Sequence, residues 1–139
     1  GLDDLADEAE IVLVHDAARP FVDAATIDRV IAGVEQGGPA VAALPVVDTL
    51  KEVDDARNVV RTVDRSNLWR AQTPQGFPRR LIVDVHREAH ARHLDATDDA
   101  ALCEQFGHPA VVVRGDERAM KITEEADFAR AEALFPLQA

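Results

Sequence analysis

The chain has 139 residues, 47% of them hydrophobic and 29% charged, which suits one domain with a buried core and not a disordered segment. A formal net charge of −11 argues against nonspecific binding to nucleic acid or an anionic membrane, no apolar run is long enough to span a bilayer, and nothing at the start resembles a signal peptide. The single cysteine, Cys103, rules out an internal disulfide, fits a reducing cytoplasm, and reads as a small core residue.

Acids are gathered in two places. Asp3, Asp4, Asp7, Glu8 and Glu10 crowd the start, and Glu124, Glu125, Asp127 and Glu132 follow Thr123. Exposed charges more than about 10 Å apart are largely screened, so arginines and lysines between these clusters can still bind anions. A chain that starts at Gly1 without an initiator methionine and enters a buried strand almost at once is expected to be a fragment of a longer polypeptide, or to carry an end left by tag cleavage.

The first element is the apolar run Ile11-Val12-Leu13-Val14, expected as a central parallel strand buried on both faces. Pro20 and Asp23 open a helix whose apolar residues Ile27, Val30, Ile31 and Val34 fall on one face, and Gly37-Gly38 ends it. Residues 40–44 give a second apolar strand. Together these predict a right-handed βαβ crossover in a mostly parallel sheet. Residues 48–53 and 59–63 read as the strands of a polar-faced β-hairpin, a candidate arm over about 47–64. A short apolar stretch with Trp69 follows, then residues 72–77, whose proline and glycine suggest a rigid polar loop.

Pro78 suits the first turn of a helix with Leu81, Ile82, Val85 and Ala89 on its apolar stripe. Thr97 is the expected N-cap of a helix over 98–106, with Asp98 and Asp99 in its first turn and Gly107 after its end. Residues 110–113 and 120–122 read as strands, and Thr123 as the cap of a last helix running through Phe128, Leu134 and Phe135.

Four segments could carry chemistry. His15-Asp16-Ala17-Ala18-Arg19-Pro20 follows the first strand, and ligands of open α/β sheets bind beyond the carboxyl ends of strands. Asp16 could bind a divalent cation or a sugar hydroxyl, and Arg19 could fork onto a phosphate; equally, the two could pair locally and fix the turn. Thr49 and Arg65 offer a hydroxyl and a fixed cation at the roots of the arm, where a solvated hairpin is the plainer alternative. Thr73 lies in the third segment. Lys121 lies in the fourth, and a solvated lysine there would be commonplace. His86, His90 and His93 share a helical face at zinc-like spacing, but no fourth ligand is evident and Arg87 and Arg92 are near, so an exposed polar face is expected.

Six blocks in order carry a resemblance: Val-Leu-Val-His-Asp-Ala-Ala-Arg-Pro at 12–20, Pro-Val-Val-Asp-Thr-Leu-Lys at 45–51, Val-Asp-Arg-Ser-Asn-Leu-Trp at 63–69, Gln-Thr-Pro-Gln-Gly-Phe at 72–77, Thr-Asp-Asp-Ala at 97–100 and Met-Lys-Ile-Thr at 120–123. Together they resemble the signature blocks of the methylerythritol-phosphate cytidylyltransferases, from about residue 11 to 134. The resemblance implies an α/β, Rossmann-like nucleotidyltransferase with a protruding β-hairpin arm, the chain forming part of one such domain. It implies a reaction in which a phosphate oxygen of 2-C-methyl-D-erythritol 4-phosphate attacks the α-phosphorus of CTP, releasing pyrophosphate, with Mg2+ offsetting charge.

Carried over, it implies that Asp16, Ala17 and Arg19 line the junction of nucleotide and sugar phosphate. Asp16 is then the one candidate metal ligand. Thr73 would contact the sugar phosphate, Arg65 and Lys121 would position its phosphate, and the arm with Thr49 and Arg65 would cross to the other subunit of a homodimer. Members of this family begin with a Gly-rich loop bearing an arginine and a lysine, and no such segment is present here. The chain is therefore expected to be inactive alone. Ribitol-5-phosphate cytidylyltransferases share much the same blocks, a noncatalytic nucleotide-binding or dimerisation module could keep the fold, and the parent could be a bifunctional form carrying a cyclodiphosphate synthase.

Overall fold

The computed structural model describes residues 2–6 and 8–134. After a short 3-10 turn at Leu2–Asp4, the elements in chain order are β1 (Ile11–Val14), α1 (Ala24–Val34), β2 (Ala40–Pro45), β3 (Leu50–Val53), β4 (Val59–Val63), β5 (Trp69–Pro78), α2 (Arg79–Arg92), α3 (Asp99–Gln105), β6 (Val111–Arg114) and α4 (Glu125–Leu134). Phe135, the expected end of the last helix, lies outside the described residues.

The main sheet has the order β1-β5-β2-β6. β1 and β2 each pair antiparallel with β5, and β6 pairs parallel with β2. Strands β1, β2 and β6 thus point one way, as a βαβ reading requires, but the sheet is mixed because β5 runs against them between β1 and β2. The segment read as a rigid loop at 72–77 is most of this ten-residue strand.

Alternation of side chains along the strands builds a core on each face. Val12, Val41 and Phe77 face Ile82, Val85 and Ala89 of α2 and Ala100, Leu102 and Cys103 of α3. Leu13, Ala40 and Ala42 face Val30 and Val34 of α1. Cys103 is fully buried, and burial pushes its thiol up to about 11, which suits a packing role. Gly76 is what lets α1 lie close to β5: a Cβ there would sit 2.6 Å from Val30 Cγ1 and 2.8 Å from Val34 Cγ2.

Some local signals hold and others do not. Asp23 caps α1 by accepting from Thr26 N at 2.9 Å. Asp98, not Thr97, caps α3 by accepting from Ala101 N at 2.7 Å, because its extended backbone already brings the carboxylate to the helix amide. At α4 the expected cap is reversed: Thr123 donates from its amide and its hydroxyl to Asp127 Oδ2 at 3.0 and 3.2 Å. The expected strand at 120–122 does not form. That segment has no sheet partner among the described residues and is tied instead by Ile122 N to the Ala18 carbonyl at 2.8 Å.

β3 and β4 form a separate antiparallel ribbon, the arm. Its turn is closed by Asp54, whose carboxylate accepts from Asn58 N at 2.8 Å and from Asn58 Nδ2 at 3.1 Å. Val53, Val59 and Val60 on the ribbon and Val47, Leu68 and Trp69 at its base are exposed.

Candidate functional site

Because β1, β2 and β6 share a direction, their carboxyl ends meet at one edge of the sheet, together with the first residues of β5. β5 departs from regular pairing there. Val41 pairs with Gln75 and Ala43 with Ala71, so Gln72, Thr73 and Pro74 bulge opposite Ala42. Bulges of this kind re-aim side chains, and this one aims two. Thr73 turns toward the end of β1, where its Oγ1 accepts the Asp16 amide at 2.9 Å. Gln72, buried, turns toward the loop after β6. Its Nε2 donates to the carbonyls of Asp116 at 2.9 Å and Ala119 at 3.4 Å, and its Oε1 accepts from Asp116 N at 3.2 Å.

That brace delivers Lys121 to Asp16. Lys121 Nζ lies 2.7 Å from Asp16 Oδ2, and Ala18 N donates to Asp16 Oδ1 at 3.3 Å. The lysine bond, more than any other cause, holds the Asp16 carboxyl below the usual range, and burial only partly opposes it. Arg19 Nη1 donates to the Ala119 carbonyl at 2.7 Å. Burial lowers the Arg19 pKa, with Asp16 pulling the other way. Its buried Nε has no hydrogen-bond partner among the described residues, a donor of the kind that usually awaits an acceptor.

Arg19, Arg70, Ala71, Gln72, Glu117, Met120 and Lys121 line a cavity of about 270 Å³ at this edge, where Arg70 forks onto both oxygens of Glu117 at 3.1 and 3.2 Å. Its lining carries three cations, Arg19, Arg70 and Lys121, against the one carboxylate of Glu117, with Asp16 bonded to Lys121 beside it, so the balance at this edge is positive within an acidic chain.

Asp16, Arg19, Thr73 and Lys121, named from three segments, are thus one bonded cluster, with Ala17 exposed on the same turn. Thr49 and Arg65 are not part of it. Both are exposed at the roots of the arm, where Arg65 Nη1 donates to the carbonyls of Val46, at 3.1 Å, and Val47. Two residues that join the cluster were not singled out from the sequence, His15 and Gln72. Their adjacency to Asp16 and Thr73 in the quoted blocks was the only available signal.

As a metal ligand Asp16 is already engaged at both oxygens, and among the described residues no group of three His, Cys, Asp or Glu side chains could hold a metal ion. A larger hollow of about 340 Å³ between α2 and α3 includes His86, His90, Asp98 and Asp99. There His86 pairs with Asp99 at 2.6 Å, and no other feature of the hollow, among the described residues, points to a ligand.

The family profile described as IspD, 2-C-methyl-D-erythritol 4-phosphate cytidylyltransferase, matches residues 1–136. The enzyme of that name from Salinibacter ruber is 48% identical over 130 residues, which are 94% of this chain and 54% of that protein. A bifunctional enzyme IspD/IspF from Nitrobacter winogradskyi is 48% identical over 135 residues, 96% of this chain and 34% of that protein. The crystal structure of the cytidylyltransferase from Thermus thermophilus superposes with a TM-score of 0.87 at 40% identity, covering 96% of this chain and 64% of that one. The chain spans about half the length of the Salinibacter relative. With six ordered sequence blocks, a shared fold and a profile match over nearly every residue, the chain belongs to the 2-C-methyl-D-erythritol 4-phosphate cytidylyltransferase (IspD) family.

Proposed function

We propose that the polypeptide containing this chain transfers a cytidylyl group from CTP to 2-C-methyl-D-erythritol 4-phosphate, giving CDP-methylerythritol and pyrophosphate for isoprenoid synthesis by the non-mevalonate route. The observation that carries the reading is the Asp16–Lys121 pair at 2.7 Å, set with Arg19 and Thr73 at the sheet edge where α/β folds bind ligands.

In this reading a phosphate oxygen of the sugar phosphate forms a bond to the α-phosphorus of CTP as the bond to the bridging oxygen of pyrophosphate breaks. Lys121 and Arg65 hold the attacking phosphate, Arg19 offers its unpartnered Nε to an anion, and Asp16 with Ala17 faces the junction of nucleotide and polyol. Catalysis is then positioning and charge neutralisation. The donor set around Asp16 does not fit a resident divalent cation. Magnesium would be carried by the CTP phosphates and water, as suits an ion that dehydrates reluctantly.

Arg65 and Thr49 enter the site of a second subunit through the arm, whose exposed valines suit burial in a homodimer. The setting we propose is the cytoplasm, and the net charge of −11 speaks against a nucleic-acid or anionic-membrane partner. The test is pyrophosphate release with CTP and magnesium. The full-length parent should turn over methylerythritol phosphate with kcat/KM more than about tenfold above that for ribitol 5-phosphate, because a site built to bond one polyol leaves polar groups unpaired with another. The 139-residue chain alone should release none. Preference for ribitol phosphate would move the assignment to that substrate, and turnover by the short chain at about 1 per second or more would contradict the need for a phosphate-cradling segment.

A further inference from the structure

The hydrogen bonds around Thr73 have a direction, and His15 sets it. His15 Nε2 lies 3.0 Å from the Arg19 carbonyl. A carbonyl oxygen only accepts, so in this arrangement Nε2 carries the proton, and a neutral ring then has its lone pair on Nδ1. Nδ1 lies 3.0 Å from Thr73 Oγ1, so the Thr73 hydroxyl donates to it. The same oxygen accepts the Asp16 amide at 2.9 Å. A threonine hydroxyl has one proton and two lone pairs; here the proton and one lone pair are committed. What half-buried Thr73 offers a ligand is the remaining lone pair.

A phosphate dianion has only acceptors and gains nothing from such an oxygen. A polyol hydroxyl can donate to it. We propose that His15 is a positioning residue that makes Thr73 an acceptor, so that the site takes a hydroxyl of its substrate at Thr73 and leaves the phosphate to the cations. The inference rests on the sugar-alcohol phosphate reading above. The layout agrees with it, because Thr73 holds the backbone amide of Asp16 while Lys121 holds its carboxylate. The two ends of one residue thus separate an acceptor point from a cationic one. The charged groups nearest the ring in this network are Asp16 and Arg19 on its own turn and Lys121 from the segment after β6. β5 contributes the uncharged Thr73. A cationic ring would donate from both nitrogens and turn the Thr73 proton outward, giving the opposite selectivity.

The experiment uses the full-length parent. Imidazole nitrogen NMR near pH 8, with His15 assigned by its loss in His15→Asn, should show a pyrrole-like Nε2 and a pyridine-like Nδ1. The reverse tautomer, or the averaged pattern of a free ring, overturns the assignment. In steady-state kinetics, His15→Asn keeps an acceptor near the position of Nδ1 and should leave KM for methylerythritol phosphate within about threefold of wild type. His15→Phe keeps the ring shape without the acceptor and should raise that KM by about tenfold, the worth of one hydrogen bond, with KM for CTP unchanged. An unchanged KM in His15→Phe, or equal losses for both substrates with a lowered melting temperature in both variants, overturns the proposal. A wild-type parent with no turnover overturns the cytidylyltransferase reading instead, and the imidazole spectrum then decides the His15 assignment by itself.

Discussion

Lys121 is half exposed along its side chain and belongs to neither core cluster, so its removal separates chemistry from folding. Lys121→Ala in the full-length parent should lower the rate by at least about tenfold, the effect of losing a charge-assisted contact of roughly 1.5–3 kcal/mol. The melting temperature at neutral pH should show at most a small fall, because a half-exposed ion pair contributes little to stability. The same variant should change the titration of Asp16. Its carboxyl is held low chiefly by the lysine, so it binds its proton less readily folded than unfolded. Its contribution to stability is therefore complete above the ordinary carboxylate pKa and fades as pH falls through the lower folded value. Carbon NMR of the Asp16 carboxyl should show the midpoint rising toward the ordinary range in Lys121→Ala. An unmoved midpoint would mean that the pair does not persist in solution. Asp16 and Arg19 were legible because they follow the plain apolar run of β1, whereas Lys121 stood out only through the resemblance carried by the Met-Lys-Ile-Thr block at 120–123. His15 and Gln72 were not, because they act through bonds to residues 58 and 44 positions away, and no local pattern announces such a partner.

β5 explains both what the sequence disclosed about the elements and what it concealed. The helices, the hairpin and the two apolar strands follow from periodicity and caps. β5 carries Gln72, Thr73, Pro74, Gln75 and Gly76 in a row, a composition that reads as loop because buried strands are ordinarily apolar. The structure uses those residues as struts. Gln72 braces the loop after β6, and Gln75 accepts from Ala100 N at 3.1 Å while donating to Asp98 at 2.9 Å. These hydrogen bonds offset the desolvation of the buried amides. Gly76 is needed for the space it leaves. Gly76→Ala should cost about 1–3 kcal/mol by overpacking against Val30 and Val34, read as a lower urea midpoint with unchanged slope. A neutral result would show that α1 can retreat from the sheet without loss.

At the scale of the molecule the cationic cleft sits within an acidic chain, and Arg65 stands apart from the cluster it is proposed to serve. If the arm is exchanged within a two-fold dimer, each site holds Lys121 from one chain and Arg65 from the other. Mixing the full-length variants Arg65→Ala and Lys121→Ala under conditions that re-pair subunits should then restore roughly a quarter of wild-type activity, since half the dimers are mixed and each of those has one intact site. No recovery, with subunit exchange confirmed independently, would return Arg65 to its own subunit.

The strand order β1-β5-β2-β6 has a consequence for the making of this protein. β1 and β2 precede the arm, β5 and β6 follow it, and every ladder of the four-stranded sheet joins a strand from one side to a strand from the other. A nascent chain that has reached the arm holds β1 and β2 without the strands that pair with them among the described residues. Their ladders with β5 form only after the polar, proline-bearing β5 has emerged to lie between them, closing long loops at the entropic cost that slows non-local folds. The sheet is laced across its own arm, and it closes from the middle.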